Sequence, residues 1–169
     1  MKVSRFPENP IIRPDMDARM GDNVNGPSLI RVPDWIERPF GRYYLYFAHH
    51  EGRYIRLAYA DDLHGPWQTH EAGVLPLSAS HFAGHIASPD VQVDEERRQI
   101  RLYYHGSEHA SGTGGRGGGG APQFSRVALS RNGLDFEASP EILGRPYMRL
   151  FRWGGFHYAL AMPYSPATA

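Results

Sequence analysis

Few side chains in this sequence can move protons or hold a ligand, and they are unevenly placed. Nine histidines stand among 169 residues, and there is no cysteine. Disulfides, thiolate–metal sites and cysteine nucleophiles are therefore excluded. Asp22, in the polar stretch GDNVNG, and Asp90, in SPDVQVD, are the carboxylates placed beside candidate strand starts. A carboxylate at such a point can act as a base toward water. Each also has a plainer reading, Asp22 as a solvated turn cap and Asp90 as a brace for its strand. His49-His50, His85 and His105 flank the same segments, and imidazoles there can hydrogen-bond a ligand or ligate a metal. Asn25, Ser88 and Arg149 complete the candidate ligand-binding set.

The elements that must position these residues read as β-strands. Apolar runs are short: 27–32 (PSLIRV), 43–49 (YYLYFAH), 54–60 (YIRLAYA), 100–105 (IRLYYH), 124–130 (FSRVALS) and 156–162 (FHYALAM). Their Tyr, Val, Ile and Phe content suits pleated, half-buried surfaces. Turn signals separate them, among them Glu51-Gly52, His64-Gly65-Pro66, Asn132-Gly133 and Gly154-Gly155. No longer window keeps a 3.6-residue apolar period, so the fold class is all-β and antiparallel.

The runs also repeat. GPSLIRV, SPDVQVD and RPYMRLF each carry proline second, at 27, 89 and 146, spaced by 62 and 57 residues. YYLYFAH, IRLYYHG and FHYALAM follow in register, and RLAYADDLHGPW has a counterpart in RVALSRNGLDF. Each unit is a meander of four antiparallel strands, which is a β-propeller blade. A sandwich built by duplication is the alternative. Blade one is expected at about 22–72, blade two at about 84–140 and the start of blade three at about 144–163. A glycine-rich loop, 106–122, interrupts blade two; no helix follows it, so it is not a phosphate loop. In a propeller, first-strand beginnings and second-strand ends converge on one mouth of the channel. That brings Asp22, Asn25, His49, His50, His85, Ser88, Asp90, His105 and Arg149 to one place.

The series NPI, GPSLI, YYLYF, LAYADDLHGPW and SPDV resembles the five-bladed propellers of glycoside hydrolase family 43, which include arabinanases, β-xylosidases and α-L-arabinofuranosidases. The similarity runs from about Asn9 to Pro163. It implies a glycoside hydrolase-like protein that hydrolyses or binds a neutral glycan in the central pocket. Inverting hydrolysis needs a carboxylate base and a carboxylic acid on either side of the bond. The resemblance places a base Asp just before the blade-one proline, a helper Asp after the blade-two proline, and an acid Glu two residues before the blade-three proline. Those positions hold Gly26, Asp90 and Gly144, so only Asp90 matches. Asp22 is the substitute base, and Glu141 stands shortly before blade three in a surface turn. The departures leave two alternatives open, a non-catalytic carbohydrate-binding or scaffold propeller and a truncated enzyme lacking its acid.

Lys and Arg number 18 against 18 Asp and Glu, so no charge footprint points to nucleic acid or a membrane surface. The start has no apolar leader segment, from which a cytoplasmic location is expected. No cofactor is expected. A channel-bound metal ion is the alternative that the histidines leave open, although no HxH or HExxH spacing occurs. At ~60 residues per repeat, four or five blades need roughly 240–300 residues. Two and a half blades should therefore present an open edge and a bare apolar flank, which a second copy of the chain could cover as a homo-oligomer.

Overall fold

The computed structural model describes residues 2–18, 20, 23–49, 52–109 and 122–163. Two four-stranded antiparallel sheets and one two-stranded sheet follow each other along the chain, each a meander of sequential neighbours. Blade one contains β1 (Asn25–Arg31), β2 (Tyr43–Ala48), β3 (Tyr54–Ala60) and β4 (Gln68–Pro76). Blade two contains β5 (Ile86–Asp94), β6 (Gln99–Ser107), β7 (Gln123–Ser130) and β8 (Glu137–Ala138). The third sheet pairs β9 (Arg149–Trp153) with β10 (Phe156–Leu160). The first strands, β1, β5 and β9, lie side by side in that order, as blades do around a propeller axis. The fourth strand of blade one runs to Pro76 rather than ending near 72, because Val74 and Leu75 are pulled into the core. Most of the glycine-rich loop, 110–121, lies outside the described residues.

Period-two alternation explains the packing. In β2, Tyr44 and Tyr46 face blade two, while Leu45 and Phe47 face the opposite way. In β3, Ile55 and Leu57 join the first side, and Ala58 and Ala60 the second. Both faces of blade one are thus buried, which is why its strands read as nearly continuous apolar runs. Between the blades, Tyr44, Tyr46, Leu57 and Val91 interlock with Ile100, Leu102 and Tyr104. The buried phenols keep partners: Tyr46 donates to the Gly133 carbonyl at 2.9 Å and Tyr104 to the Ser80 carbonyl at 2.7 Å. Burial pushes both hydroxyls well above the ordinary tyrosine range.

The far side of blade one is covered by the N-terminal segment. Met20, with Ile11 and Ile12, packs on Leu45, Phe47 and Trp67. Arg56 fastens that cover. It is fully buried, it reaches Asp17 at 3.4 Å, and its guanidinium lies over Phe47 and Tyr54. Arg126 holds the equivalent place in blade two, over the Phe82 ring at 4.1 Å and paired with Glu108 at 3.2 Å. Both arginines are structural ties that face the element preceding their own blade.

The flank of the third sheet is bare among the described residues. Register puts Phe151 and Trp153 on one face with Phe156, Tyr158 and Leu160. Trp153 is 74% exposed, Phe156 69% and Leu160 64%. A contiguous apolar face beside an open strand edge favours association. The isolated chain is therefore expected to bind a hydrophobic dye such as ANS and to grow in sedimentation coefficient with concentration. Phe156→Lys combined with Leu160→Lys should suppress both. A dye-silent chain that stays monomeric at all concentrations would contradict this surface.

Candidate functional site

The three first strands begin with the same local device. In β1 the pairing slips between Asn25 and Ser28, and in β5 between Ala87 and Asp90. Each slip is a bulge whose key residue adopts a left-handed backbone, Gly26 at φ 60° and Ser88 at φ 49°. Directly after each bulge a side chain reaches to the next blade. Ser28 Oγ accepts the Val91 N–H at 2.9 Å, and Asp90 Oδ2 accepts the Leu150 N–H at 2.9 Å. Val91 and Leu150 are therefore equivalent, which makes Arg149 the counterpart of Asp90 and Tyr147 the counterpart of Ser88. Tyr147 has φ 61°, so all three blades place a left-handed residue at this point.

That register corrects the alignment on prolines. Met148, not Pro146, stands where Pro27 and Pro89 stand, so the position two residues earlier is Pro146 rather than Gly144. Pro146 is buried and has no carboxyl group. The base position does no better. A Cβ on Gly26 would lie 2.6 Å from the Ser88 Cα, and its φ is already in the region that favours glycine. Blade one approaches blade two too closely there for a carboxylate to fit without backbone movement.

Asp90 is 9% exposed, and its Oδ2 accepts from both the Leu150 N–H and Gln92 Nε2. Its Oδ1 makes no hydrogen bond to a described residue. Arg149 is spent in the same joint, its Nη1 donating to the Ser88 carbonyl at 3.2 Å and to Pro89's at 3.0 Å. Both residues brace blade three against blade two, and Arg149 is a tie more than a ligand contact. Ser88 is buried within that joint.

The histidines form the other half of the mouth. The His85 and His105 rings meet edge to face at 5.9 Å, and His105 lies 4.2 Å from the Tyr147 ring. Both imidazoles are buried, while Tyr147 is nearly half exposed. Gly106 permits the arrangement, since a Cβ there would lie against the His85 carbonyl and the Phe82 ring. On blade one, Asn25 pairs with Ala48 and so sits beside His49 at the end of β2. Asn25 Oδ1 is a buried acceptor with no hydrogen-bond partner among the described residues. Asp22 and His50 lie outside the described residues. Glu141 is an exposed turn residue whose N–H donates to Ser139 Oγ. Two contributors escaped the sequence reading. Ser28 is a serine inside an apolar run, and Tyr147 was masked by the misplaced proline; a two-residue shift of the third repeat would have revealed it.

A cavity of about 380 Å³ sits at the opposite end of β5, lined by Asp94, Arg97, Arg101, Phe151, Arg152 and His157 among others. Among the described residues no three His, Asp or Glu side chains come together, so they do not supply the donor set of a channel-bound metal ion. No helix among them is long and apolar enough to cross a membrane.

The chain carries a propeller fold like that of GH43 enzymes. It superposes on a GH43 β-xylosidase/α-arabinofuranosidase from a compost microbial metagenome with a TM-score of 0.60, at 16% identity, over 83% of this chain and 42% of that one. A GH43_1 enzyme from Xanthomonas citri gives 0.59, at 16% identity, over 80% and 38%. An exo-β-1,3-galactanase from Phanerochaete chrysosporium gives 0.57, at 11% identity, over 81% and 32%. In sequence, the chain is 30% identical to an uncharacterized protein of Acanthamoeba polyphaga mimivirus, across 92% of this chain and 48% of that protein. The chain thus spans about half the length of that relative and less than half of each enzyme. No family model matches it.

The clamp at Asp90 predicts a stability effect. Asp90→Ala leaves the Leu150 N–H without its acceptor and should cost about 1–3 kcal/mol, whereas Asp90→Asn keeps an acceptor oxygen and should cost less. Gly26→Asp, which restores the carboxylate of the family pattern, should cost at least about 1–2 kcal/mol from its left-handed backbone alone. Urea denaturation of the three variants checks the order. A neutral Gly26→Asp would refute the close approach of the two blades.

Proposed function

We propose that this chain is a carbohydrate-active propeller that binds a neutral glycan at the channel mouth, between Asn25 and His49 on one side and His85, His105 and Tyr147 on the other. The observation that carries this reading is the character of the mouth. It offers imidazole, amide and phenol groups that hydrogen-bond hydroxyls in either direction, and among the described residues Asp90 is the one carboxylate beside it, where hydrolysis requires a pair. The fold neighbours support the ligand class, since a neighbouring xylosidase was solved with xylotriose and the galactanase with β-1,3-galactotriose. His50 follows His49 and Asp22 stands three residues before Asn25, and both belong to the same proposal.

On this reading Asp90 orients the mouth and does no proton transfer. A hydrolytic alternative is favoured by one observation: Asp90 is held by one oxygen while the other makes no hydrogen bond to a described residue. It would need an acid and a base from outside the described residues.

Titration calorimetry with neutral xylo-, arabino- and galacto-oligosaccharides tests the proposal. Binding is expected in the micromolar to millimolar range, weakened about tenfold by His105→Ala, a loss of about 1.4 kcal/mol. Aryl-xylosides, aryl-arabinosides and aryl-galactosides should not turn over. Turnover that disappears in Asp90→Asn would replace binding with hydrolysis, and no binding to any of these sugars would remove the reading altogether.

A further inference from the structure

Tyr147 stands out from its counterparts. Two blades place a small residue, Gly26 or Ser88, at the left-handed point of the bulge, and the third places a large aromatic there. A left-handed backbone is uncommon for a bulky residue and costs free energy that its surroundings must offset. The usual compensation, burial of the ring, is only partial. Tyr147 remains 46% exposed, and the described ring that it meets is His105, at 4.2 Å and an interplanar angle of 46°. An aromatic chosen for packing alone would be more deeply buried and would sit on a relaxed backbone. Here the bulge turns the ring out at the mouth, directly over a buried imidazole, with Arg149 two residues on fixing the loop to the Ser88 and Pro89 carbonyls.

We infer that Tyr147 is the stacking platform of the channel mouth, a strained residue held so that its exposed ring face receives the apolar face of one sugar ring while His105 backs it. The inference rests on the glycan-binding reading above and names the ligand feature that this site selects. That feature is a sugar presenting an uninterrupted patch of C–H groups, with equatorial hydroxyls left free for His85 and Asn25. A ring with an axial hydroxyl on the stacking face is disfavoured, because the hydroxyl would lift the sugar off the phenol and lose its own water without gaining a partner. Xylotriose and β-1,3-galactotriose both offer such a face, because the axial hydroxyl of a galactose ring lies on one side only, so binding of either should depend on the phenol.

Three variants of the full chain test this: Tyr147→Gly, Tyr147→Phe and Tyr147→Asn, each followed by thermal unfolding and by calorimetry with xylotriose and β-1,3-galactotriose. Strain and function oppose each other at this residue. Tyr147→Gly should raise Tm by about 2–4 °C, the shift expected for relieving one strained residue in a chain of this length, while weakening xylotriose about tenfold or more. Tyr147→Phe should keep binding within about threefold and leave Tm unchanged. Tyr147→Asn, which tolerates the left-handed backbone, should lose binding without losing stability. A fall in Tm for Tyr147→Gly would mark the ring as packing and overturn the inference. So would binding of xylotriose or β-1,3-galactotriose that survives Tyr147→Gly, even with glycan binding itself intact. If the unmodified chain binds neither sugar, this inference and the glycan-binding reading fall together.

Discussion

Neighbouring first strands in this molecule must come close enough to share hydrogen bonds, although each belongs to a separately twisted sheet. The solution is a bulge with a left-handed residue, followed by a side chain that accepts the next blade's backbone N–H. Ser28 does this toward Val91 and Asp90 toward Leu150. At the tightest point Gly26 abuts Ser88 so closely that a Cβ would reach 2.6 Å. Buried N–H groups at such a junction need acceptors, because leaving them bare costs as much as losing the bond. Everything at the mouth inherits its position from this joint.

The same joint accounts for the chemistry of the mouth. A position that must be glycine for backbone approach cannot carry a base, and a position filled by a buried proline cannot carry an acid. Asp90 keeps its carboxylate because there the carboxylate is also an interblade acceptor, backed by Gln92. Beside it, the described residues bring imidazoles, an amide and a phenol to the mouth.

Packing distributes stability unevenly along the chain. Blade one is buried on both faces, by blade two and by an N-terminal segment tied through Arg56 and Asp17. Blade two shares its core with blade one through the interlocked tyrosines. The third sheet has a partner on one side only, and its outward aromatics remain exposed. Repeat architectures bury each unit only against its neighbours, so a flank without a neighbour stays bare however well the other blades are built.

Strand identity and the four-stranded repeat were readable from the amino-acid order, since period-two patterns and turn residues act over a few positions. The strands read as half-buried, whereas only packing showed blade one buried on both faces. The candidacy of Asp90 and the histidines followed from that repeat, because strand starts in a propeller converge. Three-dimensional contact decided the rest. Proline alignment placed the third repeat two residues off, and only the hydrogen bond from Leu150 to Asp90 revealed that Tyr147 occupies the left-handed point. Only distance across the axis showed that Gly26 has no room for a side chain. Local propensity determines which segments form strands; which residues of different blades touch depends on how those strands pack, and no neighbour in sequence records it.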